Sequence, residues 1–187
     1  MAFYSEKELA EIGFARYGVN VLISNKTSIY NPSKITIGSN VRIDDFSVLS
    51  AGVGGIFIGD YVHIALFCSL IGAGKITLSD FSGISSRVSL YSSNDDYSGE
   101  HLTNPTVPSK FTGVTHADVY LGKHVIVGSG SVILPGVTLE DGVAIAALSL
   151  VSKNCAAFGI YSSSRKISER KRNLLDLEKQ LHDMNLR

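Results

Sequence analysis

Five histidines and a pair of aspartates carry most of the chemistry this sequence could perform. His63 stands in GDYVHIA, His101 beside Glu100, His116 before Ala117 and Asp118, His124 after Lys123, and His182 near the C-terminus. Asp95 and Asp96 are adjacent, in SSNDDYSGEH, and precede Tyr97. An imidazole whose tautomer is fixed by a carboxylate or a carbonyl removes protons near neutral pH. A carboxylate does so only when burial or a neighbouring like charge raises its pKa, a condition the aspartate pair could meet. Asn94-Asp95-Asp96 is equally sound turn chemistry. Three histidines around one metal would be a second chemistry, but no HxxxxH spacing occurs. Neither GxxxxGK[ST] nor GxGxxG between a strand and a helix is present, so the nucleotide sites built by those loops have no support.

The elements that must position these residues are set by a period of six. Leu121, Val127, Ile133, Leu139, Ile145 and Val151 fall in register without a break. A helix repeats near 3.6 residues and a lone strand near 2, so neither explains it. A short strand plus a corner, repeated as a solenoid, does. Gly122, Gly128, Ala146 and Ser152 follow the aliphatic residues, where a tight corner is expected to require something small. Three hexads make one triangular coil, so Leu121 should lie over Leu139, Val127 over Ile145, and Ile133 over Val151. Looser coils precede them: Ile37, Ile43 and Leu49, then Ile58, Ile64 and Leu70, then Leu78, Ile84 and Leu90. The inserts AGVGG and GAGK are expected at corners, leaving the stacking intact. The fold class read from this is an all-β solenoid, a parallel β-helix.

The period vanishes between Leu90 and Val119, so residues from about 91 to 118 are expected to leave the coil as an extruded loop, and long ordered loops are commonly functional. A short helix is expected over 5–15, with Ser5 as N-cap and Glu8 completing a capping box. A C-terminal α-helix is expected over 165–187, with Ser168 as N-cap. Its stripe of Leu174, Leu177, Leu181 and Met184 should pack on the coil or on a neighbouring subunit. The chain thus reads as a single domain: a helical segment over 1–20, a β-helix over 21–160 and the terminal helix.

Composition narrows the partners. The 187 residues carry a formal net charge of zero, which argues against nucleic acid as the main partner. No apolar run approaches the length of a membrane span, and no basic stretch followed by an apolar core opens the chain. A cytoplasmic location is the expectation. Cys68 and Cys155 sit in apolar repeat context and read as small buried thiols.

The hexads at Ile58-Gly59, Leu121-Gly122 and Val127-Gly128, with SGSVILPGVTL (129–139) and AIAALSLVSKN (144–154), resemble the hexapeptide-repeat acyltransferases. The likeness covers roughly residues 20–180. NDDYSGEHLTNPTVP (94–108) and FGIYSSSRKISERKRNLLDLEKQ (158–180) look most like the bacterial sugar acetyltransferases of surface-polysaccharide pathways. The resemblance implies a left-handed β-helix and a cytoplasmic homotrimer with active sites between subunits. It implies acetyl-CoA as co-substrate, with no metal. The implied acceptor is the amino group of a nucleotide-linked amino-deoxysugar, with a sugar hydroxyl as the alternative. Two places depart from the family. Asp95 stands where many relatives carry a loop histidine, and Tyr161-Ser162-Ser163-Ser164-Arg165 replaces a Gly-Val-Pro-Ala turn.

Acetyl transfer from a thioester needs a base for the accepting group and donors for the oxyanion. His63, His101 and Asp95 are the candidate catalytic residues, His63 because the same place in relatives often holds histidine. His124, His116 and His182 are the lesser candidates. Asp96, Tyr97, Glu100 and Asn104 are candidates for binding the sugar. Pantetheine in this family lies in a groove between coils. Ser129, Gly130, Ala146 and Ala147 match it, with Lys153, Arg165 and Lys166 toward the CoA phosphates. Two other readings remain open at this point: a metal hydrolyase of the same fold and a non-catalytic structural trimer.

Overall fold

The computed structural model describes residues 2–185. The chain winds as a triangular parallel β-solenoid. Its first face stacks Val21–Ile23, Val41–Ile43, His63–Ile64, Gly83–Ile84, Ile126–Val127, Ala144–Ile145 and Gly159–Ser162. The second face stacks Ser28–Tyr30, Val48–Ala51, Ser69–Gly72, Ser89–Tyr91, Val132–Ile133 and Leu150–Val151. The third stacks Ile35–Ile37, Ile56–Ile58, Ile76–Leu78, Val119–Leu121 and Thr138–Leu139. The expected stacking holds: Leu121 pairs with Leu139, Val127 with Ile145, and Ile133 with Val151.

The interior is a column of aliphatic residues. Ile23, Ile43, Ile64, Ile84, Val127 and Ile145 follow one another up the first face, all buried. Burying each Ile or Leu contributes about 1.5–3 kcal/mol, and none could be buried by a single coil. The inserts do sit at corners. Gly52 and Gly54 lie directly on Ala73 and Lys75 of the next coil, so close that a Cβ would fall 2.4 and 2.3 Å from backbone atoms. Cys68 and Cys155 are both free and buried, and burial pushes each thiol up to about 11.

The small residue of each hexad has a different cause from the one expected. A Cβ on Gly122 would meet Asp141 at 2.4 Å, and one on Gly128 would meet the Ala147 amide at 2.4 Å. Close approach of the next coil demands the small side chain. The left-handed backbone falls elsewhere, at positions occupied by bulky residues: Tyr61, Phe81, His124 and Phe158 at the corner between the third and first faces, and Phe46, Phe67, Arg87 and Leu148 between the first and second. The intrinsic cost of that conformation, about 1–2 kcal/mol per residue, is offset where rings stack along a corner, as Phe46 does on Phe67. At the first of these corners Tyr61 stacks on Phe81 (4.8 Å) and Phe81 on His124 (5.0 Å).

Helix α1, Glu6–Ile12, has the expected capping box between Ser5 and Glu8 and ends at Gly13 in the left-handed region. The C-terminal region departs from expectation. Arg165–Glu169 is a strand that doubles back antiparallel on Gly159–Ser162, so Ser168 caps nothing and helix α2 runs over Asn173–Asn185. The expected helix residues 186–187 lie outside the described residues. The turn at Ser163 and Ser164 makes this hairpin, and its pairing with the last coil overrides the helical pattern of the sequence.

Candidate active site

Residues 92–118 leave the solenoid at the corner between the second and third faces. A short antiparallel ladder, Ser93–Asn94 against Thr115–His116, closes the neck of the loop. The His116 Nδ1 hydrogen-bonds to Ser93 Oγ at 2.8 Å there. Within the loop, Asp96 accepts from the Ser98 amide (2.8 Å), the His101 amide (3.0 Å) and His101 Nδ1 (2.9 Å). The Ser98 amide, its hydroxyl and His101 hold the Asp96 carboxyl well below the usual carboxylate range. The His101 ring lies over Gly113, where a Cβ would be 2.6 Å from Nδ1. Asp96 therefore organises the loop and orients His101. Asp95, Tyr97, Glu100 and Asn104 are exposed on the same loop, with Asn104 capping Thr106.

His63 sits on the outward side of the first face. Its Nε2 is 2.9 Å from Asp44 Oδ2, and the other carboxylate oxygen accepts from Arg42 Nε at 2.7 Å. The Asp44 side chain is only 6% exposed against 53% for His63, so a buried carboxylate fixes a half-exposed ring. A carboxylate only accepts, which places the proton on Nε2 and leaves Nδ1 of His63 as the free acceptor. Beside the ring lies a concavity of ≈ 290 Å³ lined by Gly83, Ser85, Ser86, Ile126 and Ser129.

Ser129, Gly130, Ala146 and Ala147 all fall at the corner between the first and second faces, next to this concavity. Arg165 and Lys166 lie on the exposed hairpin strand at the end of the first face, where Lys166 pairs with Glu169. Lys153 is placed apart, at the corner from which the loop departs. Within one chain the loop residues also stay apart from His63. The loop roots at the corner opposite the first face, and among the described residues none of its side chains bonds to His63 or Asp44.

His124 is structural. Its side chain is 10% exposed, stacked on Phe81, with Nε2 held by Glu178 of α2 at 2.7 Å. Lys123 (3.7 Å) and His182 (3.6 Å) also reach Glu178, whose carboxyl is lowered chiefly by the His124 bond. Among the described residues no three His, Cys, Asp or Glu side chains come together to hold a metal. Sequence reasoning missed Asp44, Gly83 and Ser85. Stacking register is the signal that could have found them, since Arg42 and Gly83 pair with His63 on either side.

The chain is 53% identical to dTDP-4-amino-4,6-dideoxy-D-glucose acyltransferase of Escherichia coli over 180 residues, 95% of this chain and 94% of that protein. The chain belongs to the hexapeptide-repeat sugar acyltransferases. No family model matches it. Among solved structures it is similar to AntD, an N-acyltransferase from Bacillus cereus, in complex with dTDP and 3-hydroxybutyryl-CoA. That chain is 46% identical, with a TM-score of 0.93 and 98% of each chain covered. A serine-to-cysteine variant of the same enzyme, in complex with dTDP-4-amino-4,6-dideoxyglucose and Coenzyme A, is 45% identical, with a TM-score of 0.93 and 97% of each chain covered. An acyltransferase of this family has the fold that the six-residue period implies, and the oriented His63 on its first face is a group able to accept a proton.

Proposed function

We propose that this enzyme transfers the acyl group of acetyl-CoA or a similarly short acyl-CoA to the 4-amino group of a dTDP-linked 4-amino-4,6-dideoxyhexose. The acceptor is supported by the 53% identical relative and by the AntD complexes. The observation that carries the chemistry is His63, fixed by buried Asp44 at the lip of a concavity bordered by Ser129. The amino nitrogen forms a bond to the acyl carbonyl carbon and the carbon–sulfur bond breaks. The proton shed by nitrogen passes to His63 Nδ1 and on to the leaving sulfur, giving an amide and free CoA. Ser129, Gly130, Ala146 and Ala147 suit the pantetheine: their small side chains expose backbone at one corner, where Gly128 lies against Ala147. Arg165, Lys166 and, from another corner, Lys153 would meet the phosphates.

In this reading the whole chain is a single catalytic domain that works in the cytoplasm as a homotrimer. A site shared between subunits accounts for two features. The loop bearing Asp95, Asp96, Tyr97, Glu100, His101 and Asn104 is rooted away from His63 in its own chain, so it serves a neighbour's His63. Side chains such as Leu177 (61% exposed) and Met184 (72% exposed) on α2 lack cover within one chain. No helix among the described residues is long and apolar enough to cross a membrane. The amide product is read as a building block for a surface polysaccharide, on the resemblance of the loop and terminal segments. Thiol release from acetyl-CoA, measured with dTDP-4-amino-4,6-dideoxyglucose and with an unaminated dTDP-sugar, tests the assignment. Release with neither acceptor, or only with the hydroxyl sugar, overturns N-acylation.

A further inference from the structure

Glycine weakens a strand, and its presence there marks a close approach of backbone or ligand. Gly83 occupies the middle of the first face, between His63 and Ile126 of the adjoining coils. Of the 18 glycines in the chain, seventeen are explained by the protein itself. Each either has a positive φ or would drive a Cβ to within 3.0 Å of a neighbour. Gly83 has neither property: its φ is not positive and an added Cβ would meet only the His63 carbonyl oxygen, at 3.8 Å. The fold has room for a side chain at this position and does not use it. The outcome is a slot one residue wide, flanked by strands about 4.8 Å away on either side, and it forms the floor of the concavity beside His63.

We propose that Gly83 is a specificity-determining residue, its bare backbone forming the floor on which the acyl group of the acyl-CoA lies. The proposal rests on the acyl-transfer reading above. The walls of the slot differ in a way that suits a short acyl chain. Ile126, 47% exposed, offers an apolar side for the alkyl carbons. Ser85, Ser86 and Ser129 line the corner side with hydroxyls that a carbonyl oxygen can use. His63 lines the same concavity, so an amine attacking that carbonyl would meet the base assigned above. A sugar ring, with hydroxyls around its whole edge, would leave some of them unpaired against Ile126.

The test uses Gly83→Ala and Gly83→Val in the full chain. Rates are measured with acetyl-, propionyl- and butyryl-CoA against a dTDP-linked 4-amino sugar, alongside the Kd of free CoA, the Tm and the oligomeric state. The expected Gly83→Ala protein keeps the wild-type assembly and a Tm at or above wild type, since alanine orders the strand. Its kcat/KM falls at least tenfold for every acyl-CoA the wild type uses, the loss deepening with chain length, while the Kd of CoA lacking an acyl group stays within twofold. Gly83→Val deepens each loss. Four outcomes would overturn the proposal: a loss smaller than tenfold, a CoA Kd that rises in step with the loss, a KM increase confined to the amino sugar, or a lowered Tm or altered assembly. A wild-type protein that releases no thiol from any acyl-CoA would instead refute the acyl-transfer reading itself.

Discussion

Replacing Asp44 by asparagine separates the orientation of His63 from the stability of the coil. The side chain keeps its volume, but an amide can donate through its NH2 where the carboxylate only accepted. Donation to His63 Nε2 forces the proton onto Nδ1, the atom assigned as base, and the ring is held in the wrong tautomer. The structural loss is small. The two hydrogen bonds of Asp44, at 2.7 and 2.9 Å, go to partners whose side chains are 47% and 53% exposed, so Arg42 and His63 can turn to water. Charge-assisted bonds to half-exposed partners contribute of order 1 kcal/mol each after screening. A chain of this size then loses about 2–8 °C in Tm. The catalytic loss is much larger: a positioned general base contributes about 10²–10⁴-fold, or roughly 3–5 kcal/mol of barrier. Steady-state thiol release at neutral pH, beside Tm and the oligomeric state, measures both. Asp44→Asn should match His63→Gln in rate, with the assembly intact. Activity within threefold of wild type in both variants refutes the His63–Asp44 mechanism and moves the proton to Asp95 or His101 of the loop.

Three further outcomes are expected. Gly113→Ala drives a Cβ into the His101 ring, so it should disturb the loop and cut turnover severalfold while leaving the Tm unchanged, because the loop lies outside the aliphatic core. Glu178→Gln should free α2 from His124, seen as faster amide exchange over Asn173–Asn185. Since the folded Glu178 carboxyl is depressed, its contribution is present at neutral pH and disappears as pH falls through that lowered value. Cys68 and Cys155 should resist thiol reagents in the native protein at pH 8. Their folded values of about 11 lie above the ordinary 9.0, so stability should fall as pH rises from 9 to 11 in denaturant titrations.

The solenoid was legible in the sequence because the coil imposes its own period. Each inward position must be aliphatic, and Leu121, Val127 and Ile133 show it every sixth residue. The capping box of α1 was legible because it lies within four residues of chain. The loop was visible as the place where the period failed. What was not legible depends on the next coil. His63 could be picked out as a histidine on an outward position, but its buried partner Asp44 lies 19 residues earlier and meets it only through stacking. The same is true of His124, whose burial against Phe81 and Glu178 no local pattern announces. Arg165–Glu169 carried a helical signal, and pairing with Gly159–Ser162 overruled it.

The sequence by itself determined the repeat and the coil, because periodicity and local capping are written into neighbouring residues; the class of chemistry came from the resemblance of its motifs to a known family. The tertiary structure decided that Asp44 orients His63, that His124 is structural and where the first face is left bare. Those outcomes depend on contacts between residues about 18 to 54 apart, and only the lateral stacking of coils and the docking of α2 bring such residues into register.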